Sequence, residues 1–536
     1  MKKMIWNIEK PENNMDKILS YEKGSDDRKK LEQELKKIKK EPIEIPLIIN
    51  GEEVRTDDVM NIRSPHDHNT ILAKAHLAGE EELKEAIDAA LNAHDQWANI
   101  DWYHRIGIFK NAATLLEGPK RYRNIAAIMM NQSKNTYEAE IDLAELVDFW
   151  NFNAYFTKQI YEGQPKQYHG ETNRLDWRPL EGFVLAVPPF NFYSIGGNLP
   201  TAPAMVGNTT LWKPARSVTF ANYEIMKVLE LAGLPKGVIN FVPFSSKHAE
   251  VVLKHPAFAG IHFTGSYETL TKIWQTIGHN IRKYKNFPRI IGETGGKDFI
   301  FMHHTADVEK TADRIIHGAF GYQGQKCSAA SRAYIPQSKW EQVKTIIVDK
   351  AKELTQGPVE KLDNFLGAVI DEAAFRKIIE YIDEADQSND YTILTGGGYD
   401  DSKGWFIEPT IVQTTNPNGK LMTEEIFGPV ITIYVYADDQ FEETLKLCDE
   451  STPFGLTGSI MSQDRYAIVK AESLLRYSAG NFYINDKPTG AVVGRQPFGG
   501  ARNSGTNDKA GSYLNLLRWL SPRNIKETQV LPTDWD

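Results

Sequence analysis

The sequence predicts an α/β protein built on mostly parallel sheets with helices on their faces. Three observations carry this. Short apolar runs at Phe183–Val187, Thr209–Trp212, 237–242 and 260–263 alternate with helical stretches, the rhythm of strands joined by helical crossovers. Polar and glycine-rich residues cluster where those strands end, which is where open parallel sheets bind ligands. The 536 residues exceed what one hydrophobic core of roughly 250–300 residues holds, so more than one domain is expected.

In chain order, the charged stretch 20–40 mixes Asp26, Asp27, Arg28, Lys29 and Lys30 with Glu32 and Glu34, and reads as a solvated helical arm. Leu47-Ile48-Ile49 runs through Asn50-Gly51 into Glu52-Glu53-Val54. Asn-Gly accepts positive φ at both positions, so this is a hairpin. Leu83, Ala86, Ile87, Ala90 and Leu91 mark one face of a helix over 80–99, and helical pattern continues to about Tyr161. Residues 163–178 are polar and extended. A second α/β region opens near Phe299, with helices at 338–354 and 372–386 and an alternating strand at 431–436. After Pro497 comes a Gly499-Gly500 turn, then a tail carrying Trp519, Pro522 and Trp535.

Composition narrows the function. A net charge of −9 gives no hold on phosphate backbones, so no nucleic-acid partner is expected. No run of 18 apolar residues exists to span a membrane. Two cysteines, Cys327 and Cys448, are too few for a disulfide framework and point to a reducing compartment. Lys2 and Lys3 are followed by Glu9, Glu12 and Asp16 and by no apolar segment, which fits neither a secretory signal nor a transit peptide. The expected location is cytoplasmic, or the mitochondrial matrix for a eukaryotic source. The thirteen histidines, His303-His304 included, show no metal-ligand spacing.

Cys327 lies in Gly324-Gln325-Lys326-Cys327-Ser328, a small-residue turn that lets a reactant approach the sulfur. A thiol there adds to an aldehyde carbon once ionised, helped by nearby cations or backbone amides; the alternative is a buried structural cysteine, the reading kept for Cys448. Glu293, between glycines at a strand end, suits a general base raised in pKa by burial. The Asn191 amide can donate to a developing oxyanion, or cap a turn.

Together, Asn191, Lys213, Gly265-Ser266, Glu293, Cys327 and Glu424-Glu425-Ile426-Phe427-Gly428-Pro429 occur in an order that resembles the aldehyde dehydrogenase superfamily, over about residues 48–511. Phe263-Thr264-Gly265-Ser266, Gly292-Glu293-Thr294-Gly295-Gly296-Lys297-Asp298, Gly324-Gln325-Lys326-Cys327-Ser328-Ala329 and the block from Asn485 to Lys509 resemble its Δ1-pyrroline-5-carboxylate dehydrogenases. That likeness implies NAD-dependent oxidation of L-glutamate γ-semialdehyde to glutamate in proline breakdown, through a thiohemiacetal and a thioester on Cys327. It assigns Asn191 and the Cys327 N–H to the oxyanion and Glu293 to water activation. Lys213 and Glu425 would meet ribose hydroxyls, Phe427 the nicotinamide ribose, and Gly265 and Ser266 the pyrophosphate; Pro188, Tyr267, Glu268 and Thr269 complete the expected cofactor contacts. Gly490, Ala491 and Ser328 would hold the substrate carboxylate, with Phe192 and Phe498 flanking its aliphatic middle.

Three positions depart from the superfamily pattern. Leu270 stands where many members repeat a glycine, implying a variant phosphate turn. Pro200 stands nine residues after Asn191, where many carry the lysine of a proton relay. Arg216 replaces the glutamate that NAD-preferring relatives often carry after the ribose lysine, and its charge suits a 2′-phosphate.

The implied fold is the aldehyde dehydrogenase architecture: a Rossmann-type cofactor domain from 1–162 and 179–297, an α/β catalytic domain at 298–497, and a β oligomerisation element at 163–178 and 498–536. A homodimer or higher oligomer is expected, because exposed strand edges seek partners. Rival readings are a dehydrogenase for another small semialdehyde, a thiol acyl hydrolase, and a non-catalytic scaffold. The hydrolase would have no use for Lys213, Glu425 or the phosphate turn, and the scaffold none for Cys327 and Glu293.

Overall fold

The computed structural model describes residues 8–529. Lys2, Lys3 and Trp535 lie outside the described residues. Two seven-stranded sheets dominate, and their strands are numbered here in chain order. The first sheet holds β1 (Leu47–Ile49), β2 (Glu52–Val54), β3 (Phe183–Val187), β4 (Thr209–Trp212), β5 (Ile239–Phe241), β6 (Phe258–Thr264) and β7 (Arg289–Glu293). Its order is β7-β6-β3-β4-β5-β1-β2, parallel from β7 through β5 and closed by the antiparallel β1–β2 hairpin. Asn50 and Gly51 take φ of 52° and 71°, as the hairpin reading requires. The helix over Glu80–Asn99 has the expected bounds and buries Leu83, Ala86, Ile87 and Ala90.

The second sheet comprises β8 (Asp298–Met302), β9 (Ala330–Pro336), β10 (Tyr391–Thr395), β11 (Thr410–Thr414), β12 (Val430–Tyr436), β13 (Thr457–Met461) and β14 (Asn481–Ile484), in the order β10-β11-β12-β9-β8-β13-β14. Only β10 runs antiparallel to its neighbour. Helices Trp340–Glu353 and Glu372–Gln387 cover it where the apolar spacing placed them. Cys448 is fully buried in the helix Phe441–Glu450, and burial pushes its thiol up to about 11. His303 packs edge-on to Phe441.

Two readings change. The 20–40 segment is not a free arm. Ser25 caps a helix at Asp26–Lys40, accepting from the Arg28 N–H at 3.1 Å, and Leu31, Leu35 and Ile38 are buried in the core shared with the helix Arg121–Gln132. Charges cover its outer face, while an i, i+4, i+7 aliphatic stripe holds it down. The tail also divides. Leu520–Thr528 pairs antiparallel with Glu171–Pro179 along nine residues, but residues 498–509 fold back on β7. No helix among the described residues is long and apolar enough to cross a membrane.

Candidate active site

The first sheet carries the site through its register. Ala186 lies beside Trp212, Val187 beside Phe263, and Phe263 beside Gly292, so β3, β4, β6 and β7 end on one edge. From β3 the chain steps to one side into β4 and β5 and to the other into β6 and β7. The β3–β6 boundary is therefore a topological switch point, where the crevice outside the strand ends accepts a ligand. Pro188–Asn191 leaves β3 there, Lys213 leaves β4, Gly265-Ser266 leaves β6, and Glu293 ends β7.

The second sheet presents its opposite ends. Thr294–Lys297 runs directly from β7 into β8, and Cys327 sits just before β9. A narrow cleft between the two edges is lined by Gly296, Asp298, Lys326, Cys327, Glu425 and Phe427. Gly296 is required by contact: a side chain there would put its first carbon 2.8 Å from the Cys327 carbonyl oxygen and closer still to the Asp298 carboxylate.

The Cys327 loop is strained and tightly held. Tyr322 and Gln323 take φ of 51° and 54° and Gly324 takes 66°, three successive residues in the left-handed region just before the nucleophile segment. Such geometry survives only where surroundings enforce it. Gln323 Nε2 donates to the carbonyls of Ser133 at 3.0 Å and Ala368 at 2.8 Å. The Ile370 N–H donates to Gln325 Oε1 at 2.9 Å. Asn191 Nδ2 donates to the Gln325 carbonyl at 3.0 Å, which brings the oxyanion candidate to the nucleophile loop and leaves a second amide hydrogen.

Cys327 is half-buried. Burial pushes its thiol well above the ordinary value, and the negative charges of Asp298, Glu425 and Glu293 push the same way. The expectation that cations would favour the thiolate is not met, because the adjacent Lys326 ammonium is engaged 2.8 Å from the Glu138 carboxylate. Burial raises Glu293 to about 8, opposed by the backbone N–H of Gly500, which donates to Oε2 at 2.7 Å.

The cofactor candidates fit a dinucleotide. Ser266 caps the helix Tyr267–His279, whose first turn is exposed; its Oγ accepts from the Thr269 N–H at 3.3 Å. A helix start that follows a strand at the switch point offers N–H donors to a pyrophosphate. Tyr267 turns its ring edge-on to Phe454, and Glu268 stays exposed. Leu270 is buried: its side chain occupies the space beside Gly292, where a Cβ would come within 2.6 Å of it. The missing glycine is thus balanced by a glycine on β7. Burial and the Arg216 charge lower Lys213 to about 8, and its ammonium lies 5.4 Å from the Phe244 ring centroid. Glu425 accepts the Gly296 N–H at 2.9 Å, and burial raises its pKa. Phe427, at φ 62°, meets Phe190 edge-on at 5.7 Å across the cleft.

At the substrate end, Ser328 donates to Thr489 Oγ1 at 2.9 Å, joining it to the loop of Gly490 and Ala491. Gly490 is exposed with φ 97°. Phe498 is fixed by backbone bonds exchanged with Ala510 at 3.0 and 2.8 Å. Phe192 lies over the ammonium of Lys134, a fully buried residue that sequence reasoning passed over; it sits 4.5 Å from that ring centroid, 4.4 Å from that of Tyr322, and 2.5 Å from Asp142. Asp142 also accepts the Tyr193 and Ser194 N–H groups at 2.8 and 2.9 Å. The signal was available as a Lys-x7-Asp pair, but nothing in the pattern marks it as buried.

A nucleophilic cysteine facing a carboxylate, an amide donor and a dinucleotide crevice defines a class, and the chain belongs to the aldehyde dehydrogenase family, whose pattern matches residues 53–523. Within it, the chain is 49% identical over 518 residues to Delta-1-pyrroline-5-carboxylate dehydrogenase, mitochondrial, of Dictyostelium discoideum, covering 96% of this chain and 93% of that one. It is 44% identical over 521 residues to the Homo sapiens protein of the same name, covering 97% and 92%. The crystal structure of the Delta-pyrroline-5-carboxylate dehydrogenase from Mycobacterium tuberculosis bound with NAD superposes with a TM-score of 0.94 at 46% identity, covering 98% and 97%.

Proposed function

We propose that this protein oxidises L-glutamate γ-semialdehyde, the open form of Δ1-pyrroline-5-carboxylate, to L-glutamate with NAD. The observation that carries the reading is the convergence of Asn191, Lys213, Ser266 and Glu293 on one sheet edge facing the Cys327 loop. The relatives' names and the NAD-bound neighbour support the substrate and cofactor.

Lys213 and Glu425 would hold ribose hydroxyls, Phe427 would meet the nicotinamide ribose, and the Ser266 helix start would receive the pyrophosphate. When bound, the oxidised dinucleotide supplies a hydride acceptor and a positive charge. Cys327 sulfur bonds to the aldehyde carbon while its proton passes to Glu293. The second Asn191 amide hydrogen and the Cys327 N–H stabilise the oxyanion. The oxyanion collapses as the carbon loses its hydrogen with the bonding pair, giving a thioester. Glu293, having shed its proton, then accepts one from water. The water oxygen bonds to the thioester carbon, the C–S bond breaks, and sulfur leaves with the electron pair. Ser328 and the Gly490–Ala491 backbone receive the substrate carboxylate, and Phe192 and Phe498 flank its chain.

Among the described residues the strands Glu171–Pro179 and Leu520–Thr528 form a two-stranded sheet; the Gln164 and Gln167 side chains cover the outer edge of the first at Leu175 and Asn173, and the outer edge of the second has no strand beside it, which supports assembly into a homodimer or larger oligomer. The matrix of mitochondria is the location for a eukaryotic source, the cytoplasm otherwise. The test is steady-state NADH formation with pyrroline carboxylate beside a panel of other aldehydes. Highest kcat/KM for pyrroline carboxylate upholds the reading; a higher value for another semialdehyde replaces it.

A further inference from the structure

Two backbone N–H groups favour the ionised Glu293 carboxylate, those of Gly500 and Asn507, and the Gly500 peptide has the larger effect. The Gly500 N–H donates to Glu293 Oε2 at 2.7 Å, and the carbonyl of the same peptide unit, Gly499 O, accepts from Lys509 Nζ at 3.2 Å. Lys509 also donates to Gly480 O at 2.8 Å and to Asn481 Oδ1 at 3.3 Å. Three acceptors around one amine use all three hydrogens of an ammonium, and a neutral amine has only two. Lys509 is thus a partly buried cation pulling on the carbonyl side of a dipole whose N–H side grips the carboxylate. Asn481 completes the clamp by accepting from the Gly499 N–H at 3.2 Å and donating to the Pro497 carbonyl at 3.0 Å. Asn507 and Lys509 take φ of 56° and 53°, so the turn that delivers the ammonium is itself held in the left-handed region.

Pro200, buried in the helix Tyr193–Met205, brings no charge to the base from the Asn191 side. The titratable groups that face Glu293 are Asp508 and Lys509 from the tail loop and Cys327 from the nucleophile loop. Asp508 opposes ionisation of Glu293 and is itself paired with Arg518 at 3.0 Å; Lys509 favours it. The helix beside β7 turns Leu270 toward Gly292.

We propose that Lys509 is the positioning residue of the general base: its ammonium polarises the Gly499–Gly500 peptide, whose N–H orients the Glu293 carboxylate and keeps it ionised for water activation. This rests on the reading of Glu293 as the base. Removing the charge makes ionisation harder, so the acid limb of thioester hydrolysis moves to higher pH.

The experiment follows acyl-enzyme hydrolysis against pH after the NADH burst in the full-length enzyme. Lys509→Gln, which keeps a donor but loses the charge, moves the acid limb up by about one unit, the lower end of what one nearby charge does. Lys509→Arg keeps the limb within a few tenths of wild type. Asn481→Asp is nearly isosteric and sets an anion against the same ammonium; it moves the limb the same way without altering the lysine. Dinucleotide affinity reports that each variant is folded. If Lys509→Gln and Asn481→Asp slow hydrolysis equally at every pH with the limb unmoved, the proposal is overturned and the clamp is merely structural. Glu293→Gln separates the underlying reading: wild-type hydrolysis with an unchanged limb in that variant removes Glu293 as the base.

Discussion

The Asn191 side-chain amide donates to the Gln325 carbonyl two residues before Cys327, so a residue in the turn after β3 tethers the loop that carries Cys327. Asn191→Ala removes both this tether and the proposed oxyanion donor. The expected loss in kcat is about 10²-fold to 10³-fold, the usual cost of one such donor. Dinucleotide affinity should stay within about threefold, since Asn191 has no part in holding ribose or phosphate. A kcat within fivefold of wild type would remove Asn191 from the mechanism.

Cys327→Ala should abolish aldehyde oxidation and leave dinucleotide binding intact, because the sulfur forms the covalent intermediate and the cofactor is held elsewhere. Turnover above about a tenth of wild type rules the intermediate out. Cys448→Ala, in a buried helix position far from any reacting group, should change turnover little.

Glu293 works as a base only when ionised. Burial raises it to about 8 in the free protein, so hydrolysis should be full above that pH and decline as pH falls through it. The thioester forms only after hydride transfer has neutralised the nicotinamide, so no cofactor charge displaces this limb during hydrolysis; it should appear in kcat where hydrolysis limits turnover, and in kcat/KM where Glu293 takes the thiol proton. A flat profile from pH 6 to 9 in both parameters contradicts this assignment.

Donors that a bound substrate covers and leaves without a partner cost about 1–3 kcal/mol each. If two contacts hold the substrate carboxylate, glutamate semialdehyde should exceed pentanal by at least roughly 30-fold in kcat/KM. Gly490 takes φ 97°, a conformation that a branched side chain resists, so Gly490→Val should raise substrate KM far more than cofactor KM. Equal efficiency with the two aldehydes would eliminate the carboxylate anchor.

Arg216 is exposed at the start of a short turn after Lys213, near enough to lower the lysine's pKa. Wild-type enzyme should prefer NAD, and Arg216→Glu should weaken NADP use further by repelling the 2′-phosphate. Comparing kcat/KM for the two cofactors checks both statements; higher efficiency with NADP in the wild type reverses them.

Local chemistry explains what was legible. Asn50-Gly51 declares its turn, and the 80–99 helix declares its face, because neighbours in sequence are neighbours in space. The parallel strands were visible as apolar runs, and their carboxyl ends marked the site. The helix Asp26–Lys40 was misread because its charges outnumber Leu31, Leu35 and Ile38, although only those three decide burial. The left-handed turn at Tyr322 and Gln323 was invisible, since neither residue type announces positive φ. The resting state of Cys327 is unreadable for a related reason: its thiol is governed first by burial and then by Asp298, Glu425 and Glu293, which the fold gathers from separate elements, whereas the sequence shows only Lys326 beside it.

The four residues Thr294–Lys297 join the two sheets, and each end carries site chemistry. Thr294 N–H is bonded to Ser504 O at 2.8 Å, Gly296 N–H to Glu425 at 2.9 Å, and Lys297 Nζ to Ser331 at 2.7 Å. One inserted residue adds about 3.3–3.6 Å of chain, longer than the hydrogen bonds that pin the span. A deletion withdraws as much. Length is therefore the protected quantity in this segment. Substitutions within it can be graded by side chain, but an indel of a single codon would set the carboxylate of Glu293 out of phase with the sulfur of Cys327 even with every catalytic group retained.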